Sequence, residues 1–375
     1  MTDESPSRGA ALREPVKIDR NVFISVKNGI IEAISSRRPA RGARQIDIDS
    51  GLLTPPLVNA HTHLQLSWLK DSLTFGEGFA AWLKSLVPLL LKTTEFEATD
   101  ALRDAVWALK SSGAALVGDI GGSIPGALSE TARAVADAGL TARFFCEKFG
   151  WKDGSDIWPS RSKNEIDRAN NATPCGHALY STAPASLLAI HEWCLARGLP
   201  FSIHLAESEE EDLMLLEGKG ALYEYYKDTV LPENWSPPRM TPTEYAQSLG
   251  LLKPRTLAVH GARLSTRDLR ALETSGTAVC LCPRSNARIG VGDAPFADLL
   301  ASDILLCLGT DGLTSCPDLD VRSDMRYLRE KHDFPASALL RMATVNGASA
   351  LGFDFRDFAP RIGGRAAFAL IKDME

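Results

Sequence analysis

Short apolar runs, each closing on a polar or turn-forming residue, alternate along the chain with longer segments whose apolar positions recur at helical spacing. LLTPPLVNAH, AALVGDI, ARFFCEKF, HALYSTA, PFSIHLA, TLAVHGA, AVCLCPRS and ILLCLGTD read as strands. Between them, FAAWLKSLVPLLL, ATDALRDAVWALKSS, ETARAVADAG, PASLLAIHEWCLARG, STRDLRALETSG and PFADLLAS read as helices, several opened by Ser, Thr or Pro and closed by Gly. Eight strand-then-helix units predict an α/β protein of the (β/α)8 TIM-barrel type, a closed parallel sheet covered by helices.

The two ends of the chain follow another pattern. VFISVKNGIIEAISS, residues 22–36, alternates apolar and polar positions around Asn28-Gly29, which is a hairpin signal. IGGRAAFALIKD, residues 362–373, reads as a further strand. These imply a small β-rich accessory layer from both termini, residues 16–55 plus 356–375, beside a barrel domain over 56–355.

Composition narrows the class. A chain of 375 residues, 45% hydrophobic and 23% charged, can bury one large core. A net charge of −6 and the lack of an arginine-rich tract argue against nucleic acid and leave a small molecule as the expected partner. The polar start lacks the apolar centre of a secretory signal, and LVPLLL is far too short to cross a bilayer. Seven cysteines without CxxC spacing suit a reducing compartment, so a cytoplasmic protein with no membrane partner is expected. A homo-oligomer is compatible with the sequence, which fixes no oligomeric state.

The candidate chemistry lies where the apolar runs end. His61 and His63 stand two apart in NAHTHLQLS, a spacing that turns both imidazoles to one side of an extended strand. Alone, such a pair also fits two surface histidines. His204 in FSIHLAES, His260 in LAVHGARLS and Asp311 in LGTDGLTS occupy equivalent places on other strands, and His177 sits at the edge of one. Polar residues gathered at strand ends from distant parts of the chain are what a site at the C-terminal mouth of an α/β barrel requires. Cys280 and Cys282 form a CxC, but they alternate within AVCLCP and read as strand core.

PPLVNAHTHLQLS, SIHLAES, LAVHGARLS, CPRSNARIG and LGTDGLTS, in this order, resemble the amidohydrolase superfamily in its cytosine deaminase, adenosine-type deaminase and chlorohydrolase branch. The likeness covers about residues 50–352. It implies metal ligation by His61, His63, His204 and Asp311, proton transfer by Glu207 and a supporting role for His260. Binuclear relatives carry a lysine at the end of the fourth strand; HALYSTA has none, which implies a single divalent metal. Zinc suits the ligand set, and iron or manganese would also fit it. Chemistry gives each role a reason: a bound cation lowers the pKa of water, Asp311 can take its proton, a carboxyl at Glu207 can protonate a ring nitrogen, and His260 can position hydroxide or stabilise the adduct.

Other readings stand beside these. Glu207 opens the run ESEEED, and for Glu209, Glu210, Glu211 and Asp212 a solvated helix start beside Ser208 is the expectation. The first loop, NAHTHLQLSWL with its WLKSL helix, resembles that of aminodeoxyfutalosine deaminases of menaquinone biosynthesis. Methylthioadenosine or adenosylhomocysteine deamination, and hydrolysis of a cyclic amide or chlorinated ring, are the alternatives. The glutamate that grips ribose in the former is replaced here by LVPLLL, leaving Glu147 as a candidate hydroxyl acceptor. His177, Trp68 and Trp151 are candidate substrate contacts, Trp82 reads as core, and Arg284 or Arg288 is a candidate partner for a substrate carboxylate.

Overall fold

A computed structural model describes residues 19, 22–38, 46–48, 50–93, 99–151, 157–160 and 163–372. The alternation around Asn28 becomes the antiparallel hairpin of Phe23–Lys27 (β1) and Ile30–Ser35 (β2). Asn28 and Gly29, at φ 51° and 76°, supply the two left-handed positions that a tight hairpin turn needs. Leu52–Thr54 (β3) then leads into the barrel.

Leu57–Thr62 (β4), Ala114–Gly121 (β5), Thr141–Lys148 (β6) and Ala172–Gly176 (β7) form one parallel sheet in that order. Phe201–Leu205 (β8), Thr256–His260 (β9), Ala278–Leu281 (β10) and Leu306–Leu308 (β11) form a second. Hydrogen bonds at the C-terminal ends join the two into a barrel: His204 N donates to His177 O at 2.9 Å, and Asp311 N to His61 O at 3.0 Å. The second seam is reinforced by Asn59, whose Nδ2 donates to Thr310 Oγ1 at 2.8 Å while its Oδ1 accepts from Thr310 N at 3.1 Å. Gly309 permits that approach, because a Cβ there would lie 2.7 Å from His61 Cβ. Ala369–Ile371 (β12) returns from the far end of the chain to pair with β3, and Ile31 N donates to Gly364 O, so segments from both termini share the accessory layer. Its expected limits at 16 and 375 lie outside the described residues.

The strand sequences explain the burial. Val58, Leu116, Ile120, Phe145, Cys175, Val259, Cys280 and Cys307 make a continuous apolar core, and truncating a leucine of this kind to alanine costs about 2–5 kcal/mol. Cys280 and Cys282 are fully buried, in keeping with a core reading. One expectation is corrected: the fourth barrel strand is Ala172–Gly176, and HALYST lies in the turn after it. Pro174 and the short ATPCG run masked the strand, whereas HALYSTA alternates like one. Among the described residues, no helix is long and apolar enough to cross a membrane.

Two helices frame the barrel mouth. Phe79–Lys92 (α1) buries the stripe Phe79, Trp82, Leu83 and Leu86, the spacing of one helical face. Glu209–Glu217 (α2) begins at Ser208, whose side chain caps Glu211 N, and ends at Gly218 in the left-handed conformation.

Candidate active site

Strand ends deliver the polar residues to one place. His61 is the penultimate residue of β4, Glu147 lies near the end of β6, His177 follows β7, His204 lies in β8, His260 closes β9 and Asp311 follows β11. His61 Nε2 and His63 Nε2 stand 3.2 Å apart, with Asp311 Oδ1 at 3.6 Å and 3.2 Å from them. His61, His204 and His260 form a second close group of nitrogen donors. Three residues here hold left-handed backbone without being glycine: Ala206 at φ 52°, His260 at 77° and Asp311 at 61°. Such conformations cost on the order of 1–3 kcal/mol each and persist where surrounding bonds fix them. Here those bonds are Gly261 N to Leu205 O, Arg263 N to Ala206 O and Asp311 N to His61 O.

Burial sets the protonation states. Desolvation pushes His63 down to about 3 and His177 and His260 to about 4, and holds His204 well below the usual range. These imidazoles are therefore neutral at pH 7, with lone pairs available. Burial would raise Asp311, but the hydrogen bond from His61 and the nearby imidazoles outweigh it and hold the carboxyl well below its ordinary value. Its Oδ2 accepts from Ser285 Oγ at 2.7 Å and Ser315 Oγ at 2.5 Å. Glu207 goes the other way: burial, then the charges of Asp311, Glu211 and Glu210, raise it well above the carboxylate range. Burial also lifts Glu147 to about 8.

The donors fit a single divalent metal. Two bonds of about 2.0–2.1 Å at a tetrahedral angle set nitrogens about 3.3 Å apart, close to the spacing of the His61 and His63 nitrogens. His204 Nδ1 donates to His177 O at 3.0 Å, which leaves its Nε2 as the electron-pair donor and fixes the ring. Both carboxylate oxygens of Asp311 are oriented, one by hydroxyl donors and one toward the histidines.

Above this cluster lies a cavity of about 300 Å³, the scale of a small-molecule site. Its floor is His63, His204, Glu207, His260 and Asp311; one wall is the apolar face of α1, including Leu83, Leu86, Val87 and Leu90. Of the sequence candidates, His177 and Glu147 line it. Trp68 packs among core residues outside it, and Trp82, read as core, lines it while donating Nε1 to Thr314 O at 3.0 Å. Trp151 donates Nε1 to Tyr180 O at 3.3 Å and does not line it.

Neither arginine reaches the cavity. Arg284 holds Asp318 in a two-pronged contact at 2.7 and 2.8 Å and bonds Asp324 at 3.1 Å. Arg288 lies over Phe75 at 4.0 Å and pairs with Asp71 at 3.6 Å. Their place directly after a strand suggested a substrate role, but acidic partners from other segments, Asp318 and Asp324 for one and Asp71 for the other, claim them. Among the described lining residues, Lys148 is the one lysine or arginine.

The acidic run is a second correction. Glu209 is exposed, but Glu211 is fully buried, and Glu210 accepts from the first amides of α1. Ser285, Asn286 and Ser315 received no role from the sequence, although CPRSN and GTDGLTS contain them; a short polar residue following a buried strand end was the available signal. Asn286 Oδ1 accepts from His260 Nδ1 at 2.9 Å.

Comparison with known proteins agrees with this geometry. Residues 52–356 match the amidohydrolase family, and the chain belongs to it. It is an enzyme of that hydrolase class, with a site suited to a divalent metal. A 5-methylthioadenosine/S-adenosylhomocysteine deaminase of Haloarcula marismortui is 28% identical over 94% of this chain and 81% of its own length. One from Nitratidesulfovibrio vulgaris strain DP4 is 30% identical over 88% and 74%. Among solved structures, Helicobacter pylori aminofutalosine deaminase in complex with methylthio-coformycin superposes with a TM-score of 0.75 at 22% identity, covering 92% of this chain and 86% of that one.

Proposed function

We propose that this enzyme is a metal-dependent hydrolytic deaminase of adenosine-type nucleosides altered at the 5′ position. The observation that carries the reading is Glu207, a buried carboxyl whose pKa is raised well above the usual range, 3.5 Å from His260 at the floor of the cavity. A carboxyl that keeps its proton near neutrality can give it to a ring nitrogen as water attacks the adjacent amino-bearing carbon. The curated relatives, both deaminases of modified adenosines, support the same reaction class.

His61, His63, His204 and Asp311 would hold the ion: His61, His63 and Asp311 form one close group, His61 also belongs to a second with His204, and three imidazoles with one carboxylate favour zinc. When bound, the ion supplies Lewis acidity that makes hydroxide available near neutral pH. Asp311, held anionic, takes the proton of the attacking water. His260 donates through Nδ1 to Asn286, so Nε2 presents a lone pair that can position the water. Glu207 carries its proton to the ring nitrogen as the new C–O bond forms; the proton held by Asp311 then passes to the amino group, the C–N bond breaks and ammonia leaves, while the hydroxyl proton of the adduct returns to Glu207. Glu147, whose Oε1 is buried without a hydrogen bond and 3.8 Å from His204 Nδ1, suits a substrate hydroxyl, and His177 lies beside it.

The finer assignment is aminodeoxyfutalosine, an intermediate of menaquinone biosynthesis, on the likeness of the first loop. Lys148 replaces Arg284 and Arg288 as the cavity residue able to meet its carboxylate. The apolar wall of α1 favours a second reading, methylthioadenosine, whose 5′ substituent is uncharged. Ammonia release from aminodeoxyfutalosine, methylthioadenosine, adenosylhomocysteine, adenosine, guanine and cytosine tests both. Preference for a 5′-modified adenosine is expected; no ammonia from any of them, with the protein folded and metal bound, would overturn the deaminase reading and leave the cyclic-amide or chlorinated-ring alternative.

A further inference from the structure

The run after Glu207 holds four carboxylates that this chemistry does not use, and two of them, Glu210 and Glu211, accept hydrogen bonds from backbone amides outside their own helix. Ser208 and Glu211 have the S-x-x-E spacing of a capping box, and Ser208 Oγ accepts from Glu211 N at 3.2 Å. The return contact differs from the usual box, because Glu211 Oε2 accepts from Glu207 N at 2.8 Å, one residue beyond the cap. That amide belongs to the reversal after Ala206, whose φ is 52°, in a buried turn where an unpaired N–H would be costly. Glu211 is completely buried, unlike an ordinary capping glutamate at a helix surface.

The adjacent carboxylate faces elsewhere. Gly78 precedes α1 and has no side chain to cap it. Glu210 Oε1 fills that role from another element, accepting from Phe79 N at 3.1 Å and Ala80 N at 3.4 Å. The helix thus anchored supplies the apolar wall of the cavity. Neighbouring residues therefore grip, respectively, the backbone of Glu207 and the start of that wall.

We propose that Glu211 and Glu210 are positioning residues: Glu211 sets the backbone of Glu207, and Glu210 fastens α1 to the same turn, so the substrate wall and the proton carrier are held as one unit. This rests on the assignment of Glu207 as proton carrier. The two contacts have different kinetic signatures. Loss of the Glu211 acceptor displaces Glu207 from the reacting nitrogen and lowers kcat. Loss of Glu210 loosens the wall and weakens binding of a bulky 5′ substituent, which raises KM.

The test compares Glu211→Met, Glu211→Gln and Glu210→Ala with Glu207→Gln and with Glu244→Ala. Glu244 closes a capping box on Pro242–Ser248, a helix that contributes no residue to the cavity, and controls for loss of a capping glutamate together with its Arg267 ion pair. Steady-state deamination of the best nucleoside of the panel is read with metal content, melting temperature and amide exchange over residues 203–212. Glu211→Met is expected to lower kcat roughly 100-fold, the scale of a misplaced catalytic group, with KM little changed and metal retained. Glutamine, which keeps an acceptor oxygen, restores most of that loss. Glu210→Ala is expected to raise KM about fivefold, as for loss of a strong cap, with kcat little changed. Faster exchange at the Glu207 amide in Glu211→Met is expected whatever the substrate. Full turnover by Glu207→Gln would remove the reading on which the inference rests. An inactive Glu207→Gln beside a Glu211→Met that matches wild type, or one that changes only melting temperature as Glu244→Ala does, would overturn the inference alone. If Glu211→Met does not fold, unchanged KM in Glu210→Ala overturns the coupling.

Discussion

Replacing Ser285 and Ser315 by alanine is expected to weaken metal binding although neither is a ligand in the proposed site. Both hydroxyls are completely buried and donate to Asp311 Oδ2, at 2.7 and 2.5 Å. A hydrogen bond to a charged group contributes about 1.5–3 kcal/mol, and the small cavity left by a hydroxyl provides little room for water to replace it. With about 1.4 kcal/mol per tenfold, one substitution should weaken affinity about tenfold and the pair about 100-fold. The loss should grow at acid pH, because the bonds that favour the ionised carboxylate are gone and protons compete with the metal. Competition against a chromophoric chelator at several pH values, with circular dichroism as a check on folding, measures this. A folded double variant that binds metal within about threefold of wild type would refute the reasoning.

Arg284→Met is expected to leave KM for every panel nucleoside unchanged while destabilising the protein by about 3–5 kcal/mol, since it strands Asp324, a fully buried carboxylate; denaturant unfolding and kinetics together check it. Asp119 is buried beside the first histidine motif, accepting from Leu64 N and Thr62 Oγ1, and burial raises its pKa to about 7. Because the folded value exceeds the unfolded one, its stabilising contribution is full below about pH 4 and is lost as pH rises to about 7. Melting curves of metal-free wild type and Asp119→Asn should therefore diverge across that window, with the variant losing less stability as pH increases; parallel curves would contradict the assignment.

The barrel and the gathering of His and Asp at its mouth were legible because both depend on regularities within single segments. A buried parallel strand is a short apolar run, and a residue at its end faces the mouth, so His61, His204, His260 and Asp311 could be placed without knowing which strands pair. The fourth strand was hidden because Pro174 and small residues give ATPCG little strand character, while HALYST alternates without pairing as a strand. Partners supplied by distant loops were also invisible. Arg284 looks available until Asp318 and Asp324 fold against it, and Glu210 and Glu211 look solvated until α1 and the Glu207 turn cover them. Sequence spacing shows which side of its own element a residue takes, but burial of a charged group depends on what another element brings.

The seams of the barrel tie the site to the completeness of the sheet. β4 to β7 carry His61 and Glu147, with His63 immediately after β4, whereas β8 to β11 carry His204 and His260, with Glu207 and Asp311 just beyond strand ends. The backbone bonds that close the sheet run through His61, Asp311, His177 and His204 themselves. Neither four-stranded half contains a working set of groups, and the donors meet only when both edges have docked in register. The proposed metal site is consequently a report on the completed sheet: opening either seam separates His61 and His63 from Asp311, or His177 from His204, even where each half keeps its own strands.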